Sequence, residues 1–120
     1  MRRLVAVAAL LLVAAMATAG CGSKSQPSGP LQTLVIDITI SGSSTTPNGQ
    51  TIDVAVGQRI ELDVTADTPG EIHVHSSPDE QEFEYDQGSS TLQVKPIEAP
   101  GRIMVESHTL NKTLFILQAK

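Results

Sequence analysis

From residue 31 onward the chain reads as short runs in which apolar and polar positions alternate, broken by turn residues at nearly regular spacing, with no helical period. A period of two with frequent turns predicts an antiparallel all-β domain, a sandwich or barrel of seven or eight strands. Leu34, Ile36, Ile38 and Ile40 alternate with Val35, Asp37 and Thr39 in a first strand, and Ser41 to Gln50, with Pro47-Asn48-Gly49, reads as a loop. Thr51 to Val56 and Arg59 to Thr65 follow, joined at Gly57, and Asp67-Thr68-Pro69-Gly70 turns the chain into Glu71 to His75. Gln81 to Asp86, Thr91 to Pro96 and Arg102 to His108 are the next strands. Asn111-Lys112 closes a last hairpin before Thr113 to Gln118, where Leu114, Phe115, Ile116 and Leu117 are apolar on both faces and predict an interior strand.

The start of the chain has a different pattern. Arg2 and Arg3 precede an uncharged run from Leu4 to Ala19, which ends in the small residues Ala17, Thr18, Ala19 and Gly20. That run is shorter than the roughly 20 apolar residues needed to span a bilayer, and its small-residue end predicts a cleaved signal peptide over residues 1–20. Cys21, the single cysteine, stands directly after it. The segment Thr18-Ala19-Gly20-Cys21 resembles the lipobox of bacterial lipoproteins, although Thr18 stands where that family usually has Leu, Val or Ile. The resemblance implies a lipid (palmitate-type) anchor on Cys21 and attachment to the extracytoplasmic face of the cell membrane. Residues 21–30 would then be the lipidated cysteine and a flexible Gly/Ser/Pro tether, and residues 31–120 one folded domain.

Without the two arginines of the signal segment, six basic residues face thirteen acidic ones, a net charge of −7. Such a surface repels nucleic acid and tolerates cations. No glycine-rich phosphate loop, internal repeat or recognisable nucleophile motif occurs, so no catalytic residue is assigned and the chain reads as a non-enzyme.

All three histidines lie in the second half. In Glu71-Ile72-His73-Val74-His75, strand alternation places His73 and His75 on one face and Ile72 and Val74 on the other. In Arg102 to His108, the residues Arg102, Met104, Glu106 and His108 share a face opposite Ile103 and Val105. His73, His75 and His108, with Glu106 as a fourth, are therefore candidate ligands for one ion, and imidazole with carboxylate suits copper or zinc. Met104 would add a soft ligand for Cu(I), or serve as packing.

The stretches Val56-Gly57-Gln58-Arg59-Ile60-Glu61-Leu62, Asp67 to His75 and Pro100 to His108 resemble the cupredoxin-like domains of actinobacterial lipoproteins. The resemblance implies a Greek-key β-sandwich. Its copper-binding members place one histidine after the middle strands and the other ligands near the last hairpin, where His73 or His75, and His108, fall. A blue-copper electron carrier requires a thiolate, and Cys21 is the only cysteine. Blue copper is thereby excluded, leaving either a histidine-rich site of another type or a scaffold without metal.

A second cation hypothesis concerns Asp79, Glu80, Glu82, Glu84 and Asp86, which read either as weak Ca²⁺ ligands or as the solvated face of an edge strand. Two functional classes stay open. One is a membrane-anchored envelope lipoprotein binding copper or zinc through histidines; the other is a metal-free structural or protein-interaction module with an envelope protein partner.

Overall fold

The computed structural model describes residues 29–120. The signal peptide, the lipidation of Cys21 and nearly all of the tether lie outside the described residues. These residues form nine strands and no helix: β1 (Leu34–Ser41), β2 (Ser44–Thr46), β3 (Gln50–Val54), β4 (Ile60–Ala66), β5 (Gly70–Val74), β6 (Gln81–Tyr85), β7 (Gly88–Val94), β8 (Gly101–Ser107) and β9 (Lys112–Ala119). A four-stranded sheet has the order β2-β1-β4-β7, and a five-stranded sheet has the order β3-β9-β8-β5-β6.

Alternation decides what lies between the sheets. Ile36, Ile38 and Ile40 of β1 and Ile60, Leu62, Val64 and Ala66 of β4 are buried. Ile72 and Val74 of β5, Ile103 and Val105 of β8, and Phe115, Leu117 and Ala119 of β9 face them from the other sheet within one hydrophobic cluster. Each fully buried aliphatic or phenyl side chain contributes roughly 1.5–3 kcal/mol, so an aliphatic core of this extent supports the sandwich without a disulfide. β9 is interior, as its apolar run predicts, and β6 is an edge carrying exposed Glu82 and Glu84.

Two features depart from the sequence-based expectation. The segment read as a loop contains β2, whose Ser44, Thr45 and Thr46 pair antiparallel with β1; three hydroxyl residues carry no apolar alternation to betray a strand. The sheets are also mixed rather than antiparallel, since β1 pairs parallel with β4 and β3 pairs parallel with β9. β3 and β4 do not form a hairpin across Gly57 but belong to different sheets. The Gly57 amide donates to the Ile97 carbonyl at 2.9 Å, and its φ of 81° belongs to the left-handed region that glycine enters without steric cost. Consecutive strands that change sheets meet partners from distant sequence, and their direction is then free to be parallel.

Candidate metal centre

The anchor of this region is β5. Ile72 and Val74 are fully buried in the core, so the intervening residues must point outward, and Glu71, His73 and His75 lie on the outer face of the five-stranded sheet. β8 runs antiparallel beside β5, with His73 opposite Glu106. The His75 amide donates to the Met104 carbonyl at 3.0 Å, continuing that ladder by one residue.

His108 belongs to the β8–β9 hairpin. Within that turn Leu110 N–H donates to Ser107 Oγ at 3.2 Å, Asn111 N–H donates to the His108 carbonyl at 3.2 Å, and Asn111 takes a φ of 51°. Asparagine is among the few residues that tolerate this region. The Glu71 amide donates to Thr109 Oγ1 at 3.2 Å, which ties the turn to the start of β5. Close approach there requires Gly70: a Cβ at that position would lie 2.7 Å from Tyr85 Cζ, nearer still to Tyr85 Oη, and 3.0 Å from Thr109 Oγ1.

These connections bring the three imidazoles together. His73 Nδ1 lies 3.0 Å from His108 Nε2. The His73 ring stacks at a tilt on His75, with centroids 4.1 Å apart, and meets His108 edge-on at 4.7 Å. One nitrogen from each ring can be chosen so that all three lie within 4.8 Å of one another, and this is the one such convergent group of histidine, cysteine or acidic residues among the described residues. The acidic run from Asp79 to Asp86 forms no such group. His73 is only 6% exposed although it points away from the core.

Three carboxylates surround the rings. Glu80 Oε2 contacts His73 Nε2 at 3.0 Å and its Oε1 contacts His75 Nδ1 at 3.4 Å. Glu106 Oε2 contacts His75 Nε2 at 2.8 Å, and Glu71 Oε1 lies 3.3 Å from His108 Nδ1. Glu80 arrives from the turn between β5 and β6, where Ser76 Oγ donates to the Asp79 carbonyl at 2.6 Å and Gln81 Nε2 donates to Ser76 Oγ at 3.0 Å. A bulge between Val105 and Glu106 sets Thr113 opposite Glu106, and Thr113 Oγ1 donates to Glu106 Oε1 at 3.0 Å. The His75 hydrogen bond, and after it that from Thr113, hold the Glu106 carboxyl below its usual range.

An ionised carboxylate only accepts hydrogen bonds. The Glu80 hydrogen bond therefore draws on an N–H at His73 Nε2, while Glu71 only approaches His108 Nδ1, at 3.3 Å. His73 Nδ1 is then the acceptor in the 3.0 Å hydrogen bond between the two rings, and His108 Nε2 the donor. A metal ion that displaced that proton would find both nitrogens directed at it. Two nitrogens bound to one tetrahedral ion at about 2.0–2.1 Å stand about 3.3 Å apart, close to the separation found. Histidines that ligate metals commonly give their other N–H to a carboxylate, and His73 and His75 are hydrogen-bonded to Glu80 and Glu106 in this way.

Glu106 thus stands behind His75 and outside the convergent group. Glu80 and Glu71 were not legible as histidine partners in the sequence: Glu80 reads there only as part of an acidic run, and Glu71 is separated from His108 by 37 positions.

No protein-family model matches the chain, and no curated protein matches it either. Solved structures do. Dithionite-reduced auracyanin from Roseiflexus castenholzii superposes with a TM-score of 0.54 at 10% identity, covering 72% of this chain and 96% of that one. A purple cupredoxin from Nitrosopumilus maritimus gives 0.53 at 12% identity, with 72% and 99% covered. Auracyanin A from Chloroflexus aurantiacus, described as a blue copper protein, gives 0.54 at 11% identity, with 73% and 99% covered. At these identities the likeness establishes the fold, and the domain is a cupredoxin-like β-sandwich carrying a histidine triad suited to a metal.

Proposed function

We propose that the protein is a cell-envelope lipoprotein, anchored by a lipid on Cys21 at the extracytoplasmic face of the membrane, whose sandwich binds copper or zinc through His73, His75 and His108. The observation that carries the metal reading is the convergence of the three imidazoles, one nitrogen of each lying within 4.8 Å of the others, with His73 Nδ1 and His108 Nε2 facing each other at 3.0 Å. His75 would join through Nδ1, in place of its 3.4 Å contact with Glu80. Glu106, Glu80 and Glu71 position the rings and offset the charge of the ion. With no thiolate in the domain, the centre differs from blue copper, and binding or delivery of the ion is the activity proposed rather than catalysis.

Calorimetric titration of Cu(II) and Zn(II) into residues 24–120 at pH 7.5 and 5.5 tests this. One-to-one binding that weakens at the lower pH is the expected result, because protons compete for neutral imidazole. Absence of binding heat for both ions would leave the metal-free interaction module as the reading to pursue. The anchor is tested separately by palmitate-analogue labelling of the full chain, which Cys21→Ser should abolish.

A further inference from the structure

We propose that the β7 edge of the four-stranded sheet is a docking site for an extended, basic segment of a partner protein, which adds to it as a further strand. This goes beyond the metal reading and stands whether or not an ion is bound. Four strands lie at sheet edges: β2, β3, β6 and β7. An edge presents unpaired N–H and C=O groups, and proteins blunt it by brevity, charge or irregularity. β2 has three residues, β3 carries Asp53 in an ion pair with Lys120 Nζ at 2.7 Å, and β6 carries exposed Glu82 and Glu84. β7, Gly88-Ser89-Ser90-Thr91-Leu92-Gln93-Val94, has neither charge nor proline and pairs with β4 in unbroken register over its whole length. Among the described residues, no backbone group of β7 bonds to backbone outside that ladder. Every second residue therefore turns its N–H and C=O outward, free for another chain.

The surroundings of the edge fix the chemistry of its occupant. β6 and β7 border the same side of the sandwich, and they are tied where Lys95 N–H donates to Gln81 Oε1 at 2.8 Å. Between them lies a groove of about 220 Å³ lined by Glu80, Gln81, Glu82, Phe83, Gln93 and Lys95. Phe83 and, on β7, Leu92 are half-buried and pack on the core, so the gap leaves apolar surface that an added strand would cover. Glu80 and Glu82 set the charge of the rim, which Lys95 only partly offsets. Outside the signal segment thirteen acidic residues face six basic ones, so the domain attracts a basic segment and opposes a second copy of itself. Alternating apolar and basic residues meet both demands, since successive side chains of a strand take opposite sides. Main-chain bonds then supply affinity and the groove selectivity. Glu80 also contacts His73 and His75, which places the partner beside the histidine centre.

The test is fluorescence anisotropy with the full-length protein and three labelled peptides. The first alternates lysine and valine, the second has glutamate in place of lysine, and the third is the first methylated at every backbone nitrogen, which keeps the charge but removes every N–H. The first should bind about tenfold or more tighter than either of the others, because it alone combines the charge with main-chain hydrogen bonds. It should also slow amide hydrogen exchange within Gly88–Val94. Gln93→Lys and Glu82→Lys, both at exposed positions lining the groove, should each weaken it about fivefold, the scale of an exposed charge pair, with thermal unfolding as in wild type. Equal binding of the methylated peptide reduces the contact to charge attraction and overturns strand addition, as does exchange protection on β6 instead of β7. Failure of the lysine–valine peptide to bind overturns the docking site. A wild-type dimer in sedimentation that Gln93→Lys dissociates assigns the edge to a second copy of this chain and overturns the partner segment.

Discussion

The outer faces of the two sheets follow one rule and reach different ends. On the four-stranded sheet, Glu61 stands opposite Gln93 and Asp63 opposite Thr91. Gln93 Nε2 donates to Glu61, and Thr91 Oγ1 donates to Asp63 Oδ1 at 2.9 Å, all at exposed positions. In each of these two pairs a donor meets an acceptor. On the five-stranded sheet, Glu80 and Glu106 hydrogen-bond His73 and His75, Glu71 lies 3.3 Å from His108, and His73 and His108 turn nitrogens toward one another. Polarity and alternation are common to both faces. The difference is convergence: side chains from β5, the turn after it, β8 and the β8–β9 hairpin meet in one place, deep enough to bury His73.

The largest expected effect separates the faces outright. His73→Ala/His75→Ala should remove detectable Cu(II) and Zn(II) binding by calorimetry, whereas Asp63→Asn on the other sheet should leave both affinities within about twofold, as surface changes away from a site do. Next, Glu80→Ala should weaken zinc by about 10–100-fold, as loss of a carboxylate behind a ligating histidine does. Glu82→Ala, at an exposed position opposite His73 in the ladder, is the control. Equal effects of the two would reduce the role of Glu80 to general negative charge.

Gly70→Ala tests the hairpin that carries His108. The methyl would overlap Tyr85 and crowd Thr109, and overpacking of this kind costs about 1–3 kcal/mol, measurable by urea denaturation together with weaker metal binding. Loss of binding without loss of stability would mean that the turn moves while the sandwich tolerates the change.

The smallest effect concerns acid. The Glu106 carboxyl is held below its ordinary range by His75 first and Thr113 second, so its folded pKa is lower than its unfolded one. Its contribution is present above the unfolded value and is lost as pH falls through the folded value. Glu106→Gln should therefore flatten the acid limb of metal-free stability by about 0.5 kcal/mol, as for a solvent-screened pair, and leave stability above pH 7 set by the remaining contacts. An unchanged acid limb would mean that the pair forms without stabilising the fold.

Much of the fold is legible in the sequence. Ile36-Ile38-Ile40 and Ile72-Val74 announce strands with one buried face, and the same alternation puts His73, His75, Met104, Glu106 and His108 on the outside. β2 escaped because serine and threonine leave no hydrophobic trace, and the parallel pairings of β1 with β4 and β3 with β9 escaped because alternation carries no information about strand direction. Period-two patterning determines the side of a sheet on which a residue stands. It does not determine its neighbour, which depends on strand order and register, and these are settled only when two sheets bury their apolar faces together. Tertiary structure alone set β8 beside β5, folded the hairpin so that His108 lies 3.0 Å from His73, and returned Glu80 over the rings. A line of outward-facing polar residues thereby became a cluster of converging imidazoles.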